Sequence, residues 1–279
     1  MADCKSDSDG FITVSKRKSS KNKSRTLPSS TLHLDDTYLD CDACLRTLTK
    51  AKEEVGNSRF FTDFITLLSE VLGDRNEPIS DIVCLGLGRF SSCRAARYQL
   101  AFLLLLYDHF RCPVEVSDPV FSQEEKDFLK RLGLRVATIN CEGRRKVTSL
   151  QSLCLFILPH CPRELSNNLL YANWDQFSLR NCIIYANSFE SVRLNTPRRF
   201  LEIFHNLLQV KDVVKEIPVS NTFYLPDVFN DLCLHVFPTD KLQSVQSSFW
   251  DSPEPSYPRE SELILSQDDG EKPPEGNHT

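Results

Sequence analysis

The residues whose types and order could do chemistry cluster after short apolar runs. Ile82-Val83-Cys84-Leu85 leads into Gly86-Leu87-Gly88-Arg89-Phe90-Ser91. Two glycines closing a buried strand let the backbone turn sharply and come close to a ligand, and the helix that follows aims its free amides at an anion. Ser91 or Ser92 is placed to cap that helix. Further on, Val114-Glu115-Val116-Ser117 ends at Asp118-Pro119, where a βαβ unit offers a carboxylate to a ribose hydroxyl. Ser152 to Leu158 runs into Pro159-His160-Cys161-Pro162, and Cys182-Ile183-Ile184-Tyr185-Ala186 ends at Asn187-Ser188. His160 has the chemistry of an acid–base group, since an unperturbed imidazole titrates near ~6.5, and equally that of a metal or haem ligand.

The candidate ligand site is therefore Gly86, Gly88, Ser91, Asp118, His160, Asn187 and Ser188. No catalytic residue and no particular cofactor is assigned. Two readings stand side by side. Either these residues converge on one site, or the glycines serve a tight strand-to-helix turn while the polar residues cap helices and loops.

Several templates do not match. A full dinucleotide fingerprint wants Gly or Ala where Ser91 stands, and its acid nearer than Asp118. Neither a Gly-x-Ser-x-Gly elbow nor a Walker Gly-Lys-Ser occurs. Cys41-Asp42-Ala43-Cys44 is a CxxC pair without the further ligands that a zinc site needs. Cys112-Pro113 and Cys161-Pro162 are dipeptides of the kind that ligate haem iron through a thiolate, which makes His160 and Cys161 weak haem-ligand candidates.

Elements that position these residues are legible from periodicity. Leu45, Leu48, Phe61, Phe64, Ile65, Leu68 and Leu72 recur at helical spacing between Asp36 and Gly73, with Gly56-Asn57-Ser58 dividing two helices. Ser92 to Phe110 is a helix apolar around its circumference, hence one covered on most sides. Ser122 and Glu125 make a capping box. Leu134 to Ala137 is a third strand, Ser152 to Leu158 a fourth, Cys182 to Ala186 a fifth and Val213 to Ile217 a sixth; a helix opens at Pro197, and Asp227 to Phe237 is a final alternating piece. The alternation predicts an α/β fold: a doubly wound, mostly parallel Rossmann-like sheet with an N-terminal helical extension and disordered tails. The expected organisation is a disordered basic tail over 1–30, a single domain over 31–246, and a disordered acidic Pro/Ser-rich tail over 247–279.

With 279 residues, 41% hydrophobic and 25% charged, the chain can bury one sizeable core. A formal net charge of −5 gives no overall attraction to nucleic acid, and direct nucleic-acid binding is not expected. Eleven cysteines without an even framework, together with a polar start lacking a secretory signal, point to a reducing compartment. The longest apolar run falls far short of the ~20 residues that cross a bilayer. Lys16 to Arg25 is a basic run of the nuclear-import kind, or a solvated tail.

Several of these blocks occur together in a recognisable order. Gly86 to Ser91, Arg97-Tyr98-Gln99-Leu100-Ala101, Asp118-Pro119-Val120-Phe121 with Glu124, Pro159-His160-Cys161, Leu169-Leu170-Tyr171-Ala172-Asn173-Trp174 and Asn187-Ser188-Phe189 resemble the sensitivity-to-red-light-reduced (SRR-like) family from about Ser80 to Phe237. The Ser/Lys-rich amino tail and acidic carboxyl tail suit an animal member. The resemblance implies a regulator rather than an enzyme of defined reaction; the expected protein is cytoplasmic and nuclear and acts through protein partners, with a small ligand as a candidate input. Plant members are tied to phytochrome signalling and clock output, animal members to clock-gene expression and haem biosynthesis. The alternative is a Rossmann-like enzyme using a nucleoside cofactor such as S-adenosylmethionine. Arg89 stands where the family commonly has Asn, and Ala186 where it has Gly.

Overall fold

The computed structural model describes residues 39–73, 75, 77–197, 202–258 and 261–265. Strand β1 (Ile79–Leu85) pairs in parallel with β2 (Val114–Ser117) on one side and β4 (Leu153–Leu158) on the other. β3 (Arg135–Val136) extends the sheet beyond β2, and β5 (Cys182–Asn187) beyond β4, both parallel. β7 (Leu232–Val236) then runs antiparallel to β5, and β6 (Lys215–Pro218) antiparallel to β7. The seven strands lie in the order β3-β2-β1-β4-β5-β7-β6. After β3 the chain crosses back over β1 to build β4, so the order reverses between β1 and β4, the place where open α/β sheets form their crevice.

Both faces are covered, which is why the strands read as continuous apolar runs. Ile82 and Cys84 point into a core shared with α1 (Cys41–Gly56), α2 (Arg59–Leu72), α3 (Arg94–Phe110) and α4 (Gln123–Arg131). Val83 and Leu85 point into the opposite core, against α5 (Arg163–Ala172), α6 (Gln176–Arg180) and α8 (His205–Gln209). The helix apolar all round is α3, sandwiched between the sheet and α1. Phe64 of α2 meets Phe102 of α3 at 4.9 Å and Tyr185 of β5 at 5.0 Å, both edge-on, which locks the amino-terminal helices to the sheet.

Local signals act as expected at several starts. Ser58 caps α2, and Ser122 with Glu125 forms the complete capping box of α4. Gln99 faces no cleft: it is buried and donates to the Val228 carbonyl at 3.0 Å.

Three expectations are corrected. The helix expected to open at Pro197 is, among the described residues, a 3-10 turn at Glu202–Phe204 followed by the short α8; residues 198–201 lie outside them. The sixth strand starts at Lys215 and pairs antiparallel, because β7 enters the sheet between β5 and β6. Nor does order stop at 246. Ser247–Trp250 forms a 3-10 turn; Phe249 stacks on Trp174 with ring centroids 5.3 Å apart and accepts the indole N–H at its carbonyl. Tyr257 donates to Asn168 (2.8 Å) and accepts from Asn167 (2.9 Å), both wholly buried. Aromatic side chains, not overall composition, decide where this segment packs. The basic run 16–25 and the stretch 266–279 lie outside the described residues.

Candidate functional site

The glycine turn is held by two carboxylates. Gly86 and Gly88 adopt φ of 71° and 80°, left-handed values that a side chain resists. A Cβ on Gly86 would come within 2.5 Å of the Cys161 sulfur, so the strand end and the β4–α5 turn approach closer than any other residue permits. Asp118 accepts the Gly88 N–H (2.7 Å) on one oxygen and the Val120 N–H (2.9 Å) on the other. Burial pushes its carboxyl pKa up, against those two hydrogen bonds. Glu125, almost wholly buried, accepts both the N–H (3.1 Å) and the hydroxyl (2.7 Å) of Ser91. Arg89 lies 3.8 Å from the same carboxylate.

The three amides of the turn itself are already engaged within the protein. The Gly86 amide donates to the Ser117 carbonyl, and those of Gly88 and Ser91 are engaged by the protein's own acids. Ser91 is thereby tied to α4 and lines no described cavity.

Beside the turn lies a cavity of about 260 Å³ at the carboxyl ends of β1, β2 and β4. Gly86, Gly88, Asp118, His160 and Cys161 line it, as do apolar Leu85, Val120 and Leu165. His160, Cys161 and Pro162 continue into a groove of about 620 Å³ that reaches Asn187 and Ser188 at the end of β5. Six of the seven candidate residues thus fall along one cavity and its adjoining groove; Ser91 does not.

Sequence reasoning missed the cover. Glu262, Leu263 and Ile264 line the cavity, Leu263 is buried, and Asn140 donates to the Ile264 carbonyl at 2.8 Å. The apolar triplet Leu263-Ile264-Leu265 inside an acidic stretch was the available signal.

The haem-ligand candidates His160 and Cys161 are both engaged by main-chain carbonyls. The Cys161 thiol donates to the Leu85 carbonyl at 3.1 Å, and burial holds its pKa well above the ordinary value. It packs the turn as a neutral thiol. His160 takes a left-handed φ of 53°, and its Nε2 lies 3.3 Å from the Val228 carbonyl. Cys41 and Cys44 sit on the first turn of α1, the former receiving a hydrogen bond from Arg131 and the latter buried in the core.

At the groove's far end the polar residues are structural. Ser188 caps α7 (Phe189–Asn195) and donates to Glu216 of β6. Glu216 also meets His235 of β7 at 3.2 Å; the imidazole is completely buried, stacked on Phe189 with centroids 3.7 Å apart. Burial opposes ionisation of Glu216, but the bonds from His235 and Ser188, the His235 charge and the Glu190 amide outweigh it, bringing the carboxyl pKa down to about 2.

Comparison with known proteins places this architecture. The SRR1 domain model matches residues 60–236. This chain belongs to the SRR1 family. An SRR1-like protein of Drosophila melanogaster is 33% identical over 213 residues, covering 76% of this chain and 75% of the fly protein. An SRR1-like protein of Mus musculus is 32% identical, covering 58% of this chain and 78% of its own length. The Arabidopsis thaliana protein SENSITIVITY TO RED LIGHT REDUCED 1 is 31% identical over 171 residues, 56% of this chain and 60% of the plant protein.

The family blocks have physical roles here. In the Leu169–Trp174 block, the buried Asn173 donates to the Leu169 and Arg145 carbonyls and accepts the Val147 amide, closing the loop before β4 onto α5. Arg89 faces Glu125, so its charge reinforces the clasp on the turn rather than the cavity.

Proposed function

We propose that this chain is a regulatory protein whose input is a small ligand taken up at the strand-end cavity, and whose output passes to protein partners in the cytoplasm and nucleus. The observation that carries the reading is the placement of the cavity at the β1/β4 switch point, where folds of this class bind small molecules. The plant relative's name ties that protein to red-light sensitivity, which supports a signalling rather than a housekeeping role. Clock-gene expression and haem biosynthesis are the proposed outputs, resting on the resemblance to animal members. No helix among the described residues is long and apolar enough to cross a membrane.

The test is complementation in cells lacking the native protein, using Gly88→Val and Asp118→Ala with melting curves for each. The reading expects folded variants that fail to restore rhythmic reporter expression. Folded variants that restore it fully would show that the input does not pass through the cavity.

A second reading is a transferase using S-adenosylmethionine. The reversed β7 between β5 and β6, and the glycine turn paired with an acid at the end of β2, favour it. A likeness of architecture does not itself carry an activity. Methyl transfer to an endogenous acceptor, lost in Gly88→Val, is the outcome that would promote this reading over the first.

A further inference from the structure

The charges around the cavity select among the ligands that such a switch point can hold, and the inference rests on the ligand-input reading above. Nucleotide sites on doubly wound sheets hold phosphate with free amides at the first turn, or with lysine and arginine. Here the amides of Gly86 and Gly88 already donate within the protein, and none of the residues of α3 lines the cavity. α5, which opens beside it, starts after Pro162, which has no N–H, and the Leu165 amide donates back to the Pro162 carbonyl. Among the described residues no lysine or arginine lines the cavity, whereas Asp118 and Glu262 do. A phosphate here would face two carboxylates with no lysine or arginine to offset them, His160 being the one basic side chain among the described lining residues, and like charges in a partly desolvated site repel strongly.

The same groups suit a different chemistry. Each Asp118 oxygen accepts one amide, and an ionised carboxylate has about four acceptor sites. It therefore keeps acceptor capacity beside the cavity for hydroxyl groups or a cation. Leu85, Val120, Leu165, Leu263 and Ile264 supply an apolar wall for a flat ring. Asn140 already donates to the strap over the opening. We propose that the strand-end cavity takes a phosphate-free nucleoside of neutral or positive charge, with Asp118 accepting from its ribose hydroxyls.

The test is calorimetric titration of the full chain at one ionic strength with adenosine, S-adenosylmethionine, AMP and NAD+. Adenosine and S-adenosylmethionine should bind at least tenfold more tightly than AMP or NAD+, and Asp118→Asn should weaken both by about tenfold or more. Should Asp118→Asn fail to fold, Glu262→Lys serves instead, since a cation at the opening should narrow the adenosine-to-AMP ratio by about tenfold. AMP or NAD+ binding as tightly as adenosine, lost in Gly88→Val, would overturn the ligand class while leaving the ligand-input reading intact. Absence of binding by adenosine and S-adenosylmethionine also overturns the ligand class. The ligand-input reading falls separately, if folded Gly88→Val restores rhythm in cells.

Discussion

Two ends of the same strand-end surface use similar residues for opposite purposes. Around β1, β2 and β4, the polar groups hold a turn open beside a cavity: Asp118 clasps Gly88 and still lines the space. Around β5, β6 and β7, they close on one another: Ser188, which caps α7, is linked through the half-buried Glu216 to the buried His235. The parallel strands β1, β2 and β4 set their carboxyl ends beside the cavity, whereas the antiparallel β7 brings Glu216 of β6 within reach of Ser188 at the end of β5. A polar residue after an apolar strand is therefore no sign of a site until the next strand's direction is known.

The two carboxylates also respond oppositely to acid. Burial raises Asp118, so its ionised form costs stability at neutral pH and protonation relieves that cost. Glu216 is depressed, so its contribution is complete above the ordinary carboxylate value of 4.5 and is lost as pH falls through about 2.

The sharpest way to break the contrast is at the turn. Gly86→Ala places a Cβ 2.5 Å from the Cys161 sulfur at a φ of 71°. It should cost about 3 kcal/mol in denaturant unfolding, from overpacking and left-handed strain together. Adding Cys161→Ala should recover roughly half, since the clash goes and the strain stays; an unchanged midpoint in Gly86→Ala alone would mean the close approach is not there. Next in size, Glu216→Gln leaves a completely buried His235 facing a neutral amide. The expected loss is about 2 kcal/mol at pH 7, below the figure for a fully buried pair because Glu216 is partly exposed. The difference from the unmodified protein should shrink between pH 4.5 and about 2, and a pH-independent difference would refute a role for the Glu216 carboxylate charge. Smallest is Ser188→Ala, which removes the cap on the Ser191 amide at 2.9 Å. About 1 kcal/mol is expected, with faster amide exchange confined to the start of α7; a larger, global loss would mean that Ser188 does more than close the edge.

Much of this was legible along the chain. Period and caps located β1, α3, α4, β4 and β5, because each is set by local spacing and by hydrogen bonds that reach three or four residues. The glycine turn, Asp118 and His160 could be read as neighbours because parallel strands put their carboxyl ends on one side. What the sequence could not decide was everything that depends on partners far away in the chain. Ser91 stood among the candidate ligand residues until Glu125, more than thirty residues on, was found to engage it together with Arg89. Cys161 looked like a ligand until the Leu85 carbonyl took its proton donor. The carboxyl segment read as a solvated acidic tail because composition averages over Phe249, Trp250, Tyr257 and Leu263, the residues that bind it to the core. Local spacing fixes which elements form. Only the packed structure fixes which donors and acceptors remain for a ligand, since hydrogen bonds and charges are allotted in three dimensions among residues the sequence keeps apart.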